Sequence, residues 1–160
     1  MKVSRIVFTL LTILLMCCIF WFSSKPADIS TEMSNEVGMF VGRIVVPEFN
    51  EMPESEQQEY AESIDFYVRK SAHAAEYLLL SVLCSITLIL WFREHPYLLI
   101  LLGFLITVFY AETDEIHQSY VPGRACMLSD IMIDSAGAAA GALLTALACM
   151  IIFRRHPLKK

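Results

Sequence analysis

The stretch Tyr110–Asp134, YAETDEIHQSYVPGRACMLSDIMID, decides how the rest of the chain is read. It joins two apolar segments and crowds together Glu112, Asp114, Glu115, His117, Gln118, Arg124, Asp130 and Asp134. Ionisable groups at membrane depth are costly and mark functional sites by default. The uncharged run before it, from Tyr97 to Ala111, has 15 residues. As a helix it covers roughly 22 Å, short of a hydrocarbon core of about 30 Å. A helix that spans must continue to Ile116 or His117, which draws Glu112 and Asp114 into the outer part of the membrane. The alternative is a short helix that thins the bilayer locally. Beyond it, Val121-Pro122-Gly123-Arg124 reads as a turn. Ser129 suits an N-cap and Asp130 a first helical turn.

Working outward, Ile131–Phe153 is a second apolar run on the C-terminal side. On the N-terminal side, Ser71–Phe92 precedes Arg93-Glu94-His95-Pro96, a connection short enough to make its flanking spans antiparallel neighbours, with Pro96 suited to a first helical position. Ile6–Phe22 follows Lys2 and Arg5. It resembles a signal peptide in its charged start, but it ends in Phe20-Trp21-Phe22 without a small-residue cleavage site, so a first span is favoured. The fold expected is an all-α integral membrane four-helix bundle forming one domain over 1–160. Its spans fall near 6–22, 71–92, 97–116 and 131–153, with an acidic, partly helical extracytoplasmic segment at 23–70.

That segment holds ten acidic residues against Lys25, Arg43, Arg69 and Lys70. Met33, Val37, Phe40, Val41 and Ile44 recur at helical spacing, as do Tyr60, Ile64 and Tyr67, and Pro47 and Pro53 separate the two patterns. Two amphipathic helices are expected; a partly disordered acidic loop is the alternative. Apolar residues make up 56% of the chain, above the 45–50% or so of soluble proteins, and they lie in runs. Lys2, Arg5, Arg93, Arg154, Arg155, Lys159 and Lys160 fall on one side of the four spans, which places both termini in the cytoplasm.

Several function classes are excluded or left without support. The net charge of −5 and the absence of a basic patch with interleaved aromatics argue against nucleic-acid binding. Five cysteines, four inside apolar runs and none in a CxxC pair, form no disulfide framework. Carboxylates and histidines could ligate a metal, but the spacing matches no metal signature and no metal ligands are assigned. No nucleophile elbow is present, and Cys126 is read as incidental.

The polar residues nonetheless share faces. Arg69, His73, Glu76 and Tyr77 lie on one side of the second span, and Asp130 and Asp134 lie with Gly137 and Gly141 on one side of the fourth. Glycines permit close helix approach, so the two aspartates point into the bundle. His73, Glu76, Asp114, Glu115 and His117 are candidates for general acid–base work. Lys70, Tyr77, Gln118, Arg124, Asp130 and Asp134 are candidates for ligand binding, with Arg124 and Lys70 holding an anion. The competing reading is a buried ion-pair network in which Arg124 and Lys70 neutralise Asp130, Asp134 and Glu112. Together the stretch at 110–134 and the second span frame an outward-facing site, in which Lys70, His73, Glu115, Arg124 and Asp134 should converge. Cofactors are not specified by these residues.

Read in order, Lys70-x-x-His73-x-x-Glu76-Tyr77, Asp114-Glu115-Ile116-His117-Gln118, Val121-Pro122-Gly123-Arg124, Asp130, Asp134, Gly137 and Gly141 resemble the VanZ-like family over roughly 70–150. The acidic segment at 28–65 lies outside that motif. Where relatives carry small polar residues after Arg124, this chain has Ala125-Cys126-Met127-Leu128. The resemblance implies a small bacterial membrane protein of about four helices, in a family whose named member is associated with resistance to the glycopeptide teicoplanin. The expected partners are the lipid bilayer and an envelope lipid, a peptidoglycan precursor or the glycopeptide. A transporter is disfavoured, since four spans offer little room and no inverted repeat is visible.

Overall fold

The computed structural model describes residues 2–155. The basic tail expected at the C-terminus therefore lies outside them from residue 156 onward. The described residues are all helical: α1 Lys2–Ser23, α2 Ala27–Val45, a single 3₁₀ turn Phe49–Glu51, α3 Glu54–Phe92, α4 Pro96–Gln118 and α5 Leu128–Arg155. Four of these, all but α2, are long and apolar enough to cross a membrane.

The outer surfaces of these four helices are apolar. Phe109 is 67% exposed and Leu143 71%, and Leu10, Leu14, Leu98, Leu105 and Leu147 also face outward. So much contiguous apolar surface would be untenable in water, whereas it suits contact with lipid. The inward core is correspondingly small, built from Ile19, Tyr77, Leu80, Cys84 and Ala111.

The α3 helix is the hub, packing against α1, α2, α4 and α5. It also revises the expected element order. The second amphipathic pattern, at Tyr60–Tyr67, and the second span are not separate helices but one helix of 39 residues. Between Glu54 and Phe92 there is no glycine or proline to break it. At about 1.5 Å per residue it runs about 58 Å, nearly twice the hydrocarbon thickness. Its apolar part occupies only the C-terminal half.

The short connection after α3 forms as expected. Arg93 and His95 take left-handed conformations, and Pro96 begins α4, which packs back on α3. The α1 helix runs antiparallel to α3. Near its start, Arg5 donates from Nε to the Leu90 carbonyl at 2.8 Å, and Trp91 donates to Thr9 Oγ1 at 3.0 Å. Further along, the hydroxyls of Thr12 and Thr87 meet at 3.0 Å.

The α3–α5 seam is the tightest in the bundle. A Cβ placed on Gly137 would collide with the Ala74 carbonyl, and one on Gly141 with the Leu78 carbonyl. The close helix approach that the Asp–Gly stripe predicts is thus observed, and its partner is the backbone of α3.

The α2 helix turns back through Val46–Pro53 and lies along the N-terminal half of α3. Small residues set this contact too: a Cβ on Gly38 would sit 3.1 Å from Cβ of Ala61. The buried Phe49 ring closes the far end against Tyr60, edge to face at 5.5 Å. Ser34 donates to Asp65, which pairs with Arg69 at 3.3 Å. The acidic segment is therefore an ordered helical hairpin.

Candidate functional site

The polar residues gather at the end of the bundle that carries α2. The extension of the third span is observed: α4 runs to Gln118, and the last of its turns carry Asp114, Glu115 and Gln118 inward. Asp114 is 3% exposed, and Glu115 and Asp134 are fully enclosed. Glu112 faces outward and takes no part in the cluster, because it lies on the opposite side of α4 from Asp114 and Gln118.

Asp114 Oδ2 accepts three hydrogen bonds, from Ser23 Oγ at 2.6 Å, Gln118 Nε2 at 3.0 Å and the Tyr77 hydroxyl at 3.1 Å. Three donors on one oxygen tie the end of α1 to α3 and α4. The Gln118 amide is used from both ends, since its Oε1 accepts from Arg124 Nη1 at 2.9 Å. Arg124 is placed by the expected turn: its amide donates to the Val121 carbonyl at 3.1 Å, and Gly123 takes φ +75°.

Glu115 Oε2 accepts the Met127 amide at 3.2 Å, pinning the connection to α5. Helix α5 begins at Leu128, so Ser129 lies inside its first turn rather than capping it. Its hydroxyl donates to Asp130. His73 Nδ1 lies 3.5 Å from Asp134 Oδ1, within ion-pair distance. Asp114 Oδ1, Glu115 Oε1 and both Asp134 oxygens receive no protein hydrogen bond. Buried carboxylate oxygens without donors are rare in folded proteins, and each calls for a physical reason.

Beside this cluster is a cavity of about 340 Å³, lined by the end of α1 (Phe22, Ser23, Lys25), by α2 (Ser30, Met33, Ser34, Val37), by α3 (Val68, Arg69, Ala72, His73, Glu76) and by Arg124. Such a volume lies in the range of small-molecule sites. Within it, Arg124 loses affinity for its proton through burial and through the facing charge of Arg69.

The structure brings together some of the expected residues and separates others. His73, Glu76 and Arg124 line the cavity, and Asp134, Tyr77, Asp114 and Gln118 stand directly behind them. Glu115 is buried further back, in the last turns of α4 against the α4–α5 connection. Lys70 points elsewhere, pairing with Asp130 at 2.6 Å between α3 and α5. It thus satisfies one link of the expected ion-pair network, while Arg124 meets an amide instead of a carboxylate. His117 faces α1, stacking on Phe20 at 4.5 Å between ring centroids and meeting Ser24 Oγ at 3.1 Å.

Three contributors escape a reading of motifs. Ser23 is an ordinary serine at a helix end, Ser34 lies in the acidic segment, and Lys25 follows the first span. The only local sign of α2's role is the Gly38–Gly42 spacing, which marks a face for close packing. Among the described residues no group of His, Cys, Asp and Glu could hold a metal ion.

Compared with known proteins, the family model described as VanZ/LLP1 matches residues 8–152, from α1 through α5 and including α2. No curated protein and no solved structure matches the chain.

Proposed function

The chain belongs to the VanZ/LLP1 family, and from that premise we propose that it is a bacterial cell-membrane protein whose polar cavity binds or modifies a component of the cell envelope, contributing to resistance to glycopeptides such as teicoplanin. Both termini lie in the cytoplasm and the cavity opens on the outer side. The distribution of basic residues supports this orientation, and the contacts of Arg5 with Leu90 and Trp91 put the start of α1 and the end of α3 together.

One observation carries the reading: His73, Glu76, Arg69 and Arg124 converge on a single cavity, with the enclosed Asp134 behind His73. The charge of Asp134, at ion-pair distance from Nδ1, favours the imidazolium, and Nε2 is the nitrogen left for a bound group. A ligand held by the guanidinium groups would meet this nitrogen and the Glu76 carboxylate, the pairing needed for proton transfer.

Single replacements of His73, Glu76 and Arg124 test it, with membrane abundance and teicoplanin susceptibility measured together. Loss of protection at normal abundance is the expected result. A second reading, a non-catalytic accessory protein with a structural polar network, draws on the Lys70–Asp130 pair and the three donors on Asp114. It wins if every loss of protection follows a loss of folded protein.

A further inference from the structure

The lining of the cavity is unbalanced in charge. Lys25, Arg69 and Arg124 are cationic, and Glu76 is the one carboxylate among the lining residues. Of the three cations only Arg69 has a carboxylate at ion-pair distance among the described residues, and that carboxylate, on Asp65, also accepts from Ser34. Arg124 commits one donor to the neutral amide of Gln118 and has four more. Lys25 rests its ammonium over the Trp21 ring at 3.9 Å. Burial, and then the charge of Arg69, weaken the hold of Arg124 on its proton, and an anion between the two guanidinium groups would relieve this.

Position narrows the class of anion. Lys25 follows the last turn of α1, Arg69 precedes the apolar half of α3, and Arg124 sits in the α4–α5 connection. All three stand where the spans turn from apolar to polar, the depth at which lipid phosphates lie. The same cavity has an apolar side made by Phe22, Met33, Val37 and Val68. Guanidinium forks match phosphate oxygens bidentately. Glu76 would repel a bare anion, so it favours a headgroup that also presents a hydroxyl or ammonium.

We propose that the cavity binds the phosphate of a headgroup that also carries a hydrogen-bond donor, with Arg69, Arg124 and Lys25 on the phosphate oxygens and Glu76 on the donor. This deepens the envelope-binding reading above, on which it rests.

The test is calorimetric titration of the full-length chain in detergent with three probes: dihexanoyl phosphatidylglycerol, dihexanoyl phosphatidylcholine and inorganic phosphate. Phosphatidylglycerol, with its free hydroxyls, should bind at least about tenfold more tightly than phosphatidylcholine, in line with one lost charge-assisted hydrogen bond. Arg124→Gln and Arg69→Gln should each weaken phosphatidylglycerol by roughly tenfold or more. Lys25→Gln, at the margin of the bundle, should weaken it in a chain whose packing is untouched. Glu76→Gln should abolish the preference over phosphatidylcholine. Arg93→Gln, at the opposite end of α3, should change nothing. Inorganic phosphate binding as tightly as the lipid supports the phosphate site and assigns it to a soluble ligand. Binding that ignores all three cation replacements overturns the proposal. If no phosphate compound binds while Arg124→Gln still removes teicoplanin protection at normal abundance, the proposal falls and the envelope-binding reading stands. If neither effect is seen, both fall.

Discussion

The carboxylate of Asp134 lies 3.5 Å from Nδ1 of His73, across the seam where Gly137 lets α5 rest on the backbone of α3. The aspartate is fully enclosed, while the histidine reaches the cavity. The pair thus links the register of two helices to the chemistry of the cavity wall.

Asp134→Asn keeps the side-chain volume and removes the charge beside Nδ1 of His73. Membrane abundance should be retained and teicoplanin protection lost. Asp134→Leu removes one partner of a buried pair and leaves His73 alone at the seam, so it should lower thermal stability as well as protection. Melting curves in detergent, read beside susceptibility, check both. A Leu variant that still protects would remove Asp134 from the site.

Asp114→Ala strips the acceptor from Ser23, Tyr77 and Gln118 at once. Leaving buried donors unpaired costs about 1–3 kcal/mol each, so a loss of about 3 kcal/mol or more is expected. Tyr77→Phe removes one donor from a carboxylate that keeps two others, and about 1 kcal/mol should be lost. Equal destabilisation by the two variants would contradict the arrangement of three donors around one oxygen.

Gly137→Leu forces a side chain into the Ala74 carbonyl. Overpacking of this kind costs typically about 1–3 kcal/mol, and backbone contact places it at the upper end. Membrane abundance should fall sharply. Ala138→Gly on the same helix, which adds no volume, should cost far less.

Cys126 is an exposed thiol in the α4–α5 connection, while Cys17, Cys18, Cys84 and Cys149 lie within apolar spans. A membrane-impermeant maleimide applied to intact cells should label the wild type and fail to label Cys126→Ser. Labelling that requires permeabilised cells would invert the proposed orientation.

Much of this architecture is legible in the residues. The shortness of the Tyr97–Ala111 run required α4 to continue through Asp114, and it does so to Gln118. The spacing of Asp130, Asp134, Gly137 and Gly141 announced a closely packed inward face on α5, and the structure supplies α3 as its partner. The Val121–Arg124 turn forms where its Pro-Gly pair stands. Two features were hidden for physical reasons. A change from polar to apolar residues near Lys70 looks like an element boundary, but helical hydrogen bonds do not respond to polarity, and nothing there breaks the backbone. The role of α2 depends on its folding back along α3 through Gly38 and Ala61, a tertiary contact whose partner the Gly38–Gly42 spacing does not name. From the sequence, Lys70 is expected on the anion with Arg124. In the structure it is Arg69 that lines the cavity with Arg124, and Lys70 turns to Asp130.

The continuity of α3 makes it a camshaft. Asp65, which holds α2, and Arg69, His73 and Glu76, which line the cavity, are fixed in angular phase along one rod. A single alanine inserted between Phe66 and Arg69 would advance everything upstream by about 100°. The four spans would keep their packing, while α2 would be carried round the rod and away from the cavity. The cavity therefore exists only at one rotational setting of the hairpin, and the unbroken helix is what holds that setting.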